Sequence, residues 1–182
     1  MTCSRRVLGD LNGSWTADIV FVAEAPGRLG AEKTGIPLFG DRTGDRFEQL
    51  LCEMKLKRNE VFITNAILCN PRSKEGNNDS PKLAEIRNCS KLLERTIEVV
   101  NPKFVIALGR VALEALKIIQ PHDLTLRQDV ACVTFWGERQ LIALYHPGPR
   151  TVVHRSWQDQ LRDAKRVGDL VKDRLKVICA TD

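Results

Sequence analysis

Three polar side chains follow apolar runs in this sequence of 182 residues, and their types are those that bind and react. Glu24 comes just after Ile19-Val20-Phe21-Val22 and is followed by Ala25-Pro26-Gly27. Asn65 closes Val61-Phe62-Ile63-Thr64. His146 comes just after Leu141-Ile142-Ala143-Leu144 and opens His146-Pro147-Gly148-Pro149-Arg150. A carboxylate, an amide and an imidazole can together orient a polar ligand, carry a proton and stabilise charge. Taken singly, each is an ordinary cap or turn residue. Three on one rim are better explained as a pocket.

The glycines after the first run, Gly27, Gly30, Gly35 and Gly40, do not form a dinucleotide-binding fingerprint. Gly-x-Gly-x-x-Gly and a Gly-Lys-Ser/Thr ending are both absent, so nothing supports a nucleotide cofactor. Six cysteines in a chain of this size are too few for a disulfide-built scaffold. In a reducing compartment they are thiols or metal ligands.

The elements that must hold these residues are strands and helices in alternation. The four apolar runs are Ile19–Val22, Val61–Thr64, Phe104–Leu108 and Leu141–Leu144. They are nearly continuous in apolar residues, as strands covered on both faces read. Ala131-Cys132-Val133-Thr134-Phe135 is a candidate edge strand. Phe47, Leu50, Leu51 and Met54 repeat at helical spacing after a Thr43-Gly44-Asp45 start. Ser80-Pro81 reads as a cap and first turn for a helix bearing Leu83, Ile86, Leu93, Ile97 and Val100 on one face. Further helices are expected from Arg110 to Ile119 and along Trp157, Leu161, Ala164, Val171, Leu175 and Ile178. The expectation is one α/β domain over residues 1–182, a three-layer αβα sandwich around a four-stranded, mainly parallel sheet. The polar stretch Asn70 to Ser80 reads as an exposed loop. In such sheets ligands sit beyond the carboxyl ends of the strands, which is where Glu24, Asn65 and His146 fall.

Composition bounds the function. Hydrophobic residues make up 43% and charged residues 28%, which argues against disorder. No apolar run approaches the roughly 20 residues of a membrane span. The start Met1-Thr2-Cys3-Ser4-Arg5-Arg6 lacks the apolar core of a secretory signal, so the cytoplasm is the expected compartment. The net charge is +5. Between Arg150 and Lys176 eight Lys or Arg stand against four Asp. That excess suits a polyanion such as nucleic acid, and equally a solvated helix face.

The same residues carry a resemblance. Ala17-Asp18-Ile19-Val20-Phe21-Val22-Ala23-Glu24-Ala25-Pro26-Gly27, with Gly35-Ile36-Pro37-Leu38-Phe39-Gly40, resembles the first motif of the uracil-DNA glycosylase superfamily. Its iron–sulfur branch, family 4, is the nearest in pattern. Ile63-Thr64-Asn65-Ala66-Ile67-Leu68-Cys69 is similar to the uracil-recognising segment, and Pro102–Gly109 to the third strand. His146-Pro147-Gly148-Pro149-Arg150 is similar to the second catalytic motif.

The resemblance implies a monomeric DNA-repair enzyme that excises uracil from single- or double-stranded DNA by hydrolysis, with no lyase step. It implies catalytic roles for Glu24, Asn65 and His146, and a base pocket of Ala25, Pro26, Gly27, Leu38, Phe39 and Asn65. Arg150 is then a wedge into the duplex, with Arg155 and Arg162 extending the DNA contact. The alternatives are a glycosylase for hypoxanthine or xanthine and an inactive DNA-binding module of the same fold. Two departures stand out. Leu38 occupies the place of the family's base-stacking Phe, so either Phe39 reaches the base or stacking is weaker. The acidic run after Pro26-Gly27 is reduced to Glu32, which puts rejection of thymine in question.

The resemblance also implies a [4Fe–4S] cluster. Cys3, Cys69 and Cys89 match three of its four ligands, and the fourth would fall before Met1. Without the resemblance, Cys89 reads as a small buried hydrophobe. Cys52, Cys132 and Cys179 read as structural.

Overall fold

Apolar strands that alternate with amphipathic helices can hide both faces of a sheet only by winding helices onto both sides. The computed structural model, which describes residues 5–179, has that architecture. Its strands are β1 (Ile19–Ala23), β2 (Phe62–Asn65), β3 (Phe104–Leu108), β4 (Val133–Trp136) and β5 (Arg139–Leu144). They lie in the order β2-β1-β3-β5-β4. All pairings are parallel except β4 with β5. The sheet therefore has five strands rather than the expected four. The extra one is the candidate edge strand, shifted towards Trp136 because Ala131 adopts a left-handed φ of 57° and cannot extend the ladder.

The helices are α1 (Ala31–Thr34), α2 (Arg42–Met54), α3 (Leu83–Val100), α4 (Arg110–Ile119) and α5 (Trp157–Cys179). Each central strand sends alternate residues to opposite faces, so the sheet has two cores. Val20, Val22, Val105 and Ala107 meet Ile86, Leu93, Val111 and Leu116 of α3 and α4. Phe21, Ile63, Ile106 and Ile142 meet Phe47, Leu51, Ala164 and Val167 of α2 and α5. No helix of the described residues is long and apolar enough to cross a membrane.

Two helix starts differ from expectation. Helix α2 begins before Thr43 because the Asp41 side chain accepts the Gly44 N–H at 2.9 Å and caps the helix earlier. Helix α3 begins at Leu83, after Pro81, and the Glu85 carboxylate reaches back to accept the Lys82 N–H at 2.8 Å. Between β2 and α3, residues 70–80 are not a plain loop. An Arg72–Asn78 bridge and hydrogen bonds from Ser73 N to Asn77 O and from Asp79 N to Pro71 O fold them into a small hairpin.

Candidate active site

The strand order reverses its direction of growth at β1, whose neighbours are β2 and β3, and the crevice of such a sheet opens at this switch point. A cavity of about 680 Å³ lies there, within the range of small-molecule sites. Glu24, Ala25, Pro26 and Gly27 line it from the end of β1, Leu38 and Asp41 from the approach to α2, and His146 and Arg150 from the segment after β5. The hairpin adds Asn77, Asn78 and Asp79.

His146 is the most constrained of these groups. Its Nδ1 accepts a hydrogen bond from the Gly148 backbone N–H at 3.0 Å. An acceptor nitrogen carries no proton, so the neutral ring holds its N–H on Nε2. Burial pushes the imidazole down to about pKa 4, against the opposing pull of the Asp41 carboxylate. The ring is therefore neutral across the physiological range. Two glycines make room for it. A Cβ on Gly148 would stand 2.9 Å from Nδ1, and one on Gly109 would stand 3.0 Å from the His146 Cβ. Gly109 has φ 96° as well, so no other residue fits both its backbone and its neighbour.

Glu24 faces the same space. Burial raises its pKa above 4.5, and the Arg110 guanidinium partly offsets this. Asn65 ends β2, opposite Ala23 in the ladder, with 1% of its surface exposed. It stands behind the cavity surface rather than on it, and its Nδ2 is buried without a hydrogen-bond partner. A donor left so is costly unless something fills it, which marks a position waiting for an acceptor.

The structure places Leu38 and Phe39 differently. Leu38 takes a left-handed φ of 49° and turns its side chain into the wall, 8% exposed. Phe39 is 44% exposed, is absent from the lining, and packs under the Arg58 guanidinium at 5.8 Å. Arg58 fixes this arrangement by donating to the carbonyls of Pro37 and Leu38 at 2.9 and 2.8 Å. Phe39 is thus not brought to the site. Nor is the Glu32 side chain: it is buried against Arg72 and Asn70, both at 2.8–2.9 Å, and Ala31 meets the cavity in its place.

Of the three arginines expected to meet DNA, Arg150 is exposed at the cavity rim. Arg155 is held by Asp163 through two hydrogen bonds of 2.9 and 2.7 Å, and Arg162 pairs with Asp159. Asp41, Arg28 and the hairpin join the site without having been expected from the sequence. Arg28 donates its backbone N–H to Asn78 Oδ1 at 3.0 Å, while Asn70 and Arg72 bind Glu32, so the hairpin is tied across to the β1 loop. The signal for it was present in Asn70-Pro71-Arg72 directly after a strand, but its partners lie some forty residues away.

The thiols are only partly brought together. Cys3 lies outside the described residues. Cys69 is disulfide-bonded, which puts a second sulfur beside it; reduced, the two sulfurs would be free to act as thiolate ligands. Cys89 is free, half-buried, and packs against the α3–α4 core. Among the described residues no group of three or more His, Cys, Asp or Glu could hold a metal. By themselves they do not make up a four-thiolate site.

A mainly parallel αβα domain with a carboxylate and a neutral imidazole lining its switch-point cavity, and a buried amide behind them, suits an enzyme that takes a base out of the stack. The profile of the Uracil DNA glycosylase superfamily matches residues 12–167, and the chain belongs to that superfamily. Within it the chain is similar to the type-4 uracil-DNA glycosylase of Archaeoglobus fulgidus, at 31% identity over 87% of this chain and 79% of that protein. It is 33% identical to the type-4 enzyme of Thermotoga maritima, over 74% of this chain and 67% of that one. A type-5 uracil-DNA glycosylase of Pyrobaculum aerophilum is 30% identical over 79% of this chain and 65% of its own length.

Proposed function

We propose that this chain is a monofunctional uracil-DNA glycosylase that takes a uracil nucleotide from the base stack into the cavity and hydrolyses its N-glycosidic bond. The observation that carries the reading is His146, a neutral imidazole whose Nε2–H is kept by the Gly148 bond, on the same cavity as Glu24. The names of the type-4 and type-5 relatives support the same substrate.

The reaction breaks the N1–C1′ bond, and its electron pair leaves with uracil. The sugar passes through an oxocarbenium-like state, the hydroxyl of a water bonds to C1′, and the water's remaining proton balances the uracil anion. The His146 Nε2–H stabilises charge growing on O2, as an oxyanion-hole donor does. Asn65 supplies the unfilled Nδ2 donor for O4 and its Oδ1 as acceptor for N3–H. Glu24 orients the water. Its raised pKa makes it a better proton acceptor than an ordinary carboxylate at the same pH. Ala25, Pro26, Gly27 and Leu38 wall the base, Leu38 by apolar contact rather than ring stacking.

DNA is the macromolecular partner of this reading, met by a cytoplasmic monomer, with Arg150 at the point of entry. Likeness to the type-4 enzymes also carries the proposal of a [4Fe–4S] cluster on Cys3, Cys69 and Cys89, with a fourth ligand still to be named. Such a cluster would clamp the β2–α3 segment to α3, and no step above runs through it.

Base release from oligonucleotides carrying a single U, T, hypoxanthine or xanthine tests the function. Uracil should appear as the free base, leaving an uncut abasic strand. Release of a purine alone would move the enzyme to another lesion. Tight binding with no base released would make it a DNA-binding module.

A further inference from the structure

Gly148 holds the His146 tautomer, yet a glycine has no side chain to fix its own peptide, and the approach to Nδ1 forbids any larger residue. The restraint has to come from its neighbours, and one side chain contributes to it. Arg46, in α2, donates from Nη1 to the Gly148 carbonyl at 3.3 Å. Its guanidinium lies over the Trp157 indole at 4.7 Å. Trp157 opens α5 and donates its Nε1–H to Gln49 Oε1 at 3.3 Å, one helical turn on from Arg46. The Gly148 carbonyl also accepts the Thr151 N–H at 3.1 Å. The Gly148 carbonyl is thereby held by Arg46 of α2, itself backed by Trp157 of α5, and by the Thr151 N–H, while the Gly148 N–H points at the imidazole.

We propose that Arg46 is a positioning residue for the glycosylase reaction, one that acts through Gly148 to hold His146 in its Nε2–H form. It touches neither the ring nor the base. An arginine suits the place because its plane can stack on the indole and donate in its own plane at once, which a lysine cannot do. The proposal rests on the reading of His146 as the donor to O2.

Nitrogen NMR of the His146 ring, together with single-turnover base release and DNA affinity, tests it on Arg46→Met, Arg46→Lys and Trp157→Phe. Wild type should show one neutral tautomer with Nδ1 unprotonated. Arg46→Met should show a mixture of tautomers and lose about tenfold to a hundredfold in release, the scale of a small misplacement of a catalytic group. Its affinity for DNA should hold, and Arg46→Lys should recover only part of the loss. Trp157→Phe, a milder change that keeps an aromatic face, should give a smaller shift of the same kind and serves if Arg46→Met does not fold. An unchanged tautomer in both Arg46→Met and Trp157→Phe overturns the proposal. So does a loss confined to DNA affinity with a flattened salt dependence, which would make Arg46 a phosphate contact. Should His146→Ala release uracil at the wild-type rate, the function assigned to the ring fails, while the NMR result still decides whether Arg46 positions it.

Discussion

At the scale of the residue, the opposite displacements of two titrating groups divide the pH behaviour. His146 is held near pKa 4 by burial, so over the working range it does not titrate and leaves no limb in the rate profile. Glu24 is raised above 4.5, so the acidic limb of release should belong to it and should vanish in Glu24→Gln. A limb that survives in that variant would assign the titration elsewhere. His146 also acts on stability. Its folded value lies below the ordinary 6.5, so the unfolded chain takes up the proton first. Stability is then full above pH 6.5 and is lost as pH falls towards 4, by roughly 3 kcal/mol. Denaturant titrations at several pH values in wild type and His146→Ala would measure the difference, which should shrink in the variant.

His146 itself was legible because a strand followed by His-Pro-Gly-Pro-Arg leaves the imidazole nowhere to go but the rim. Glu24 was legible for the same reason. The choice between Leu38 and Phe39 was not. It is made by the left-handed backbone at Leu38 and by the grip of Arg58, twenty residues further on, neither of which leaves a mark in local sequence. Arg46 was hidden too, since between Asp45 and Phe47 it reads as one more polar residue on a solvated helix face.

At the scale of the element, the segment after β5 does two jobs. Its first residues fix His146, and its next ones, in the 3-10 turn Pro149–Val153, hold Arg150 and the 78%-exposed Val153 at the surface. Arg150→Ala should slow release from duplex DNA much more than from single strands, since only a duplex needs a wedge. Equal losses on both, with a lower melting temperature, would make Arg150 a loop cap. Arg155 has a different expected role. Asp163, 7% exposed, depends on it for two hydrogen bonds, so Arg155→Ala should cost about 1–3 kcal/mol of stability with little change in salt dependence. The sheet was largely readable at this scale, because continuous apolar runs admit few other placements. The hairpin at 70–80 was not, because Glu32 and Arg28 hold it from across the cavity mouth.

At the scale of the whole molecule, α2 and α5 must stay docked for the site to stay built, since α2 is capped by Asp41 and carries Arg46, and α5 carries Trp157. They approach so closely that a Cβ on Gly168 would lie 2.4 Å from the Met54 Cα. Gly168→Ala should therefore cost about 1–3 kcal/mol and lower Tm by roughly 2–10 °C, read by calorimetry. Protein purified without oxygen should be brown and contain iron; colourless, iron-free, folded and active protein would remove the cluster and leave the chemistry at the rim untouched.

In the proposed reaction a neutral His146 stabilises the charge leaving with uracil. Single-turnover release of uracil from a saturated duplex by wild type and His146→Ala tests it most directly. Loss of one such donor should slow release by about 100- to 1,000-fold while DNA affinity is kept. Release by the variant at close to the wild-type rate would contradict the claim.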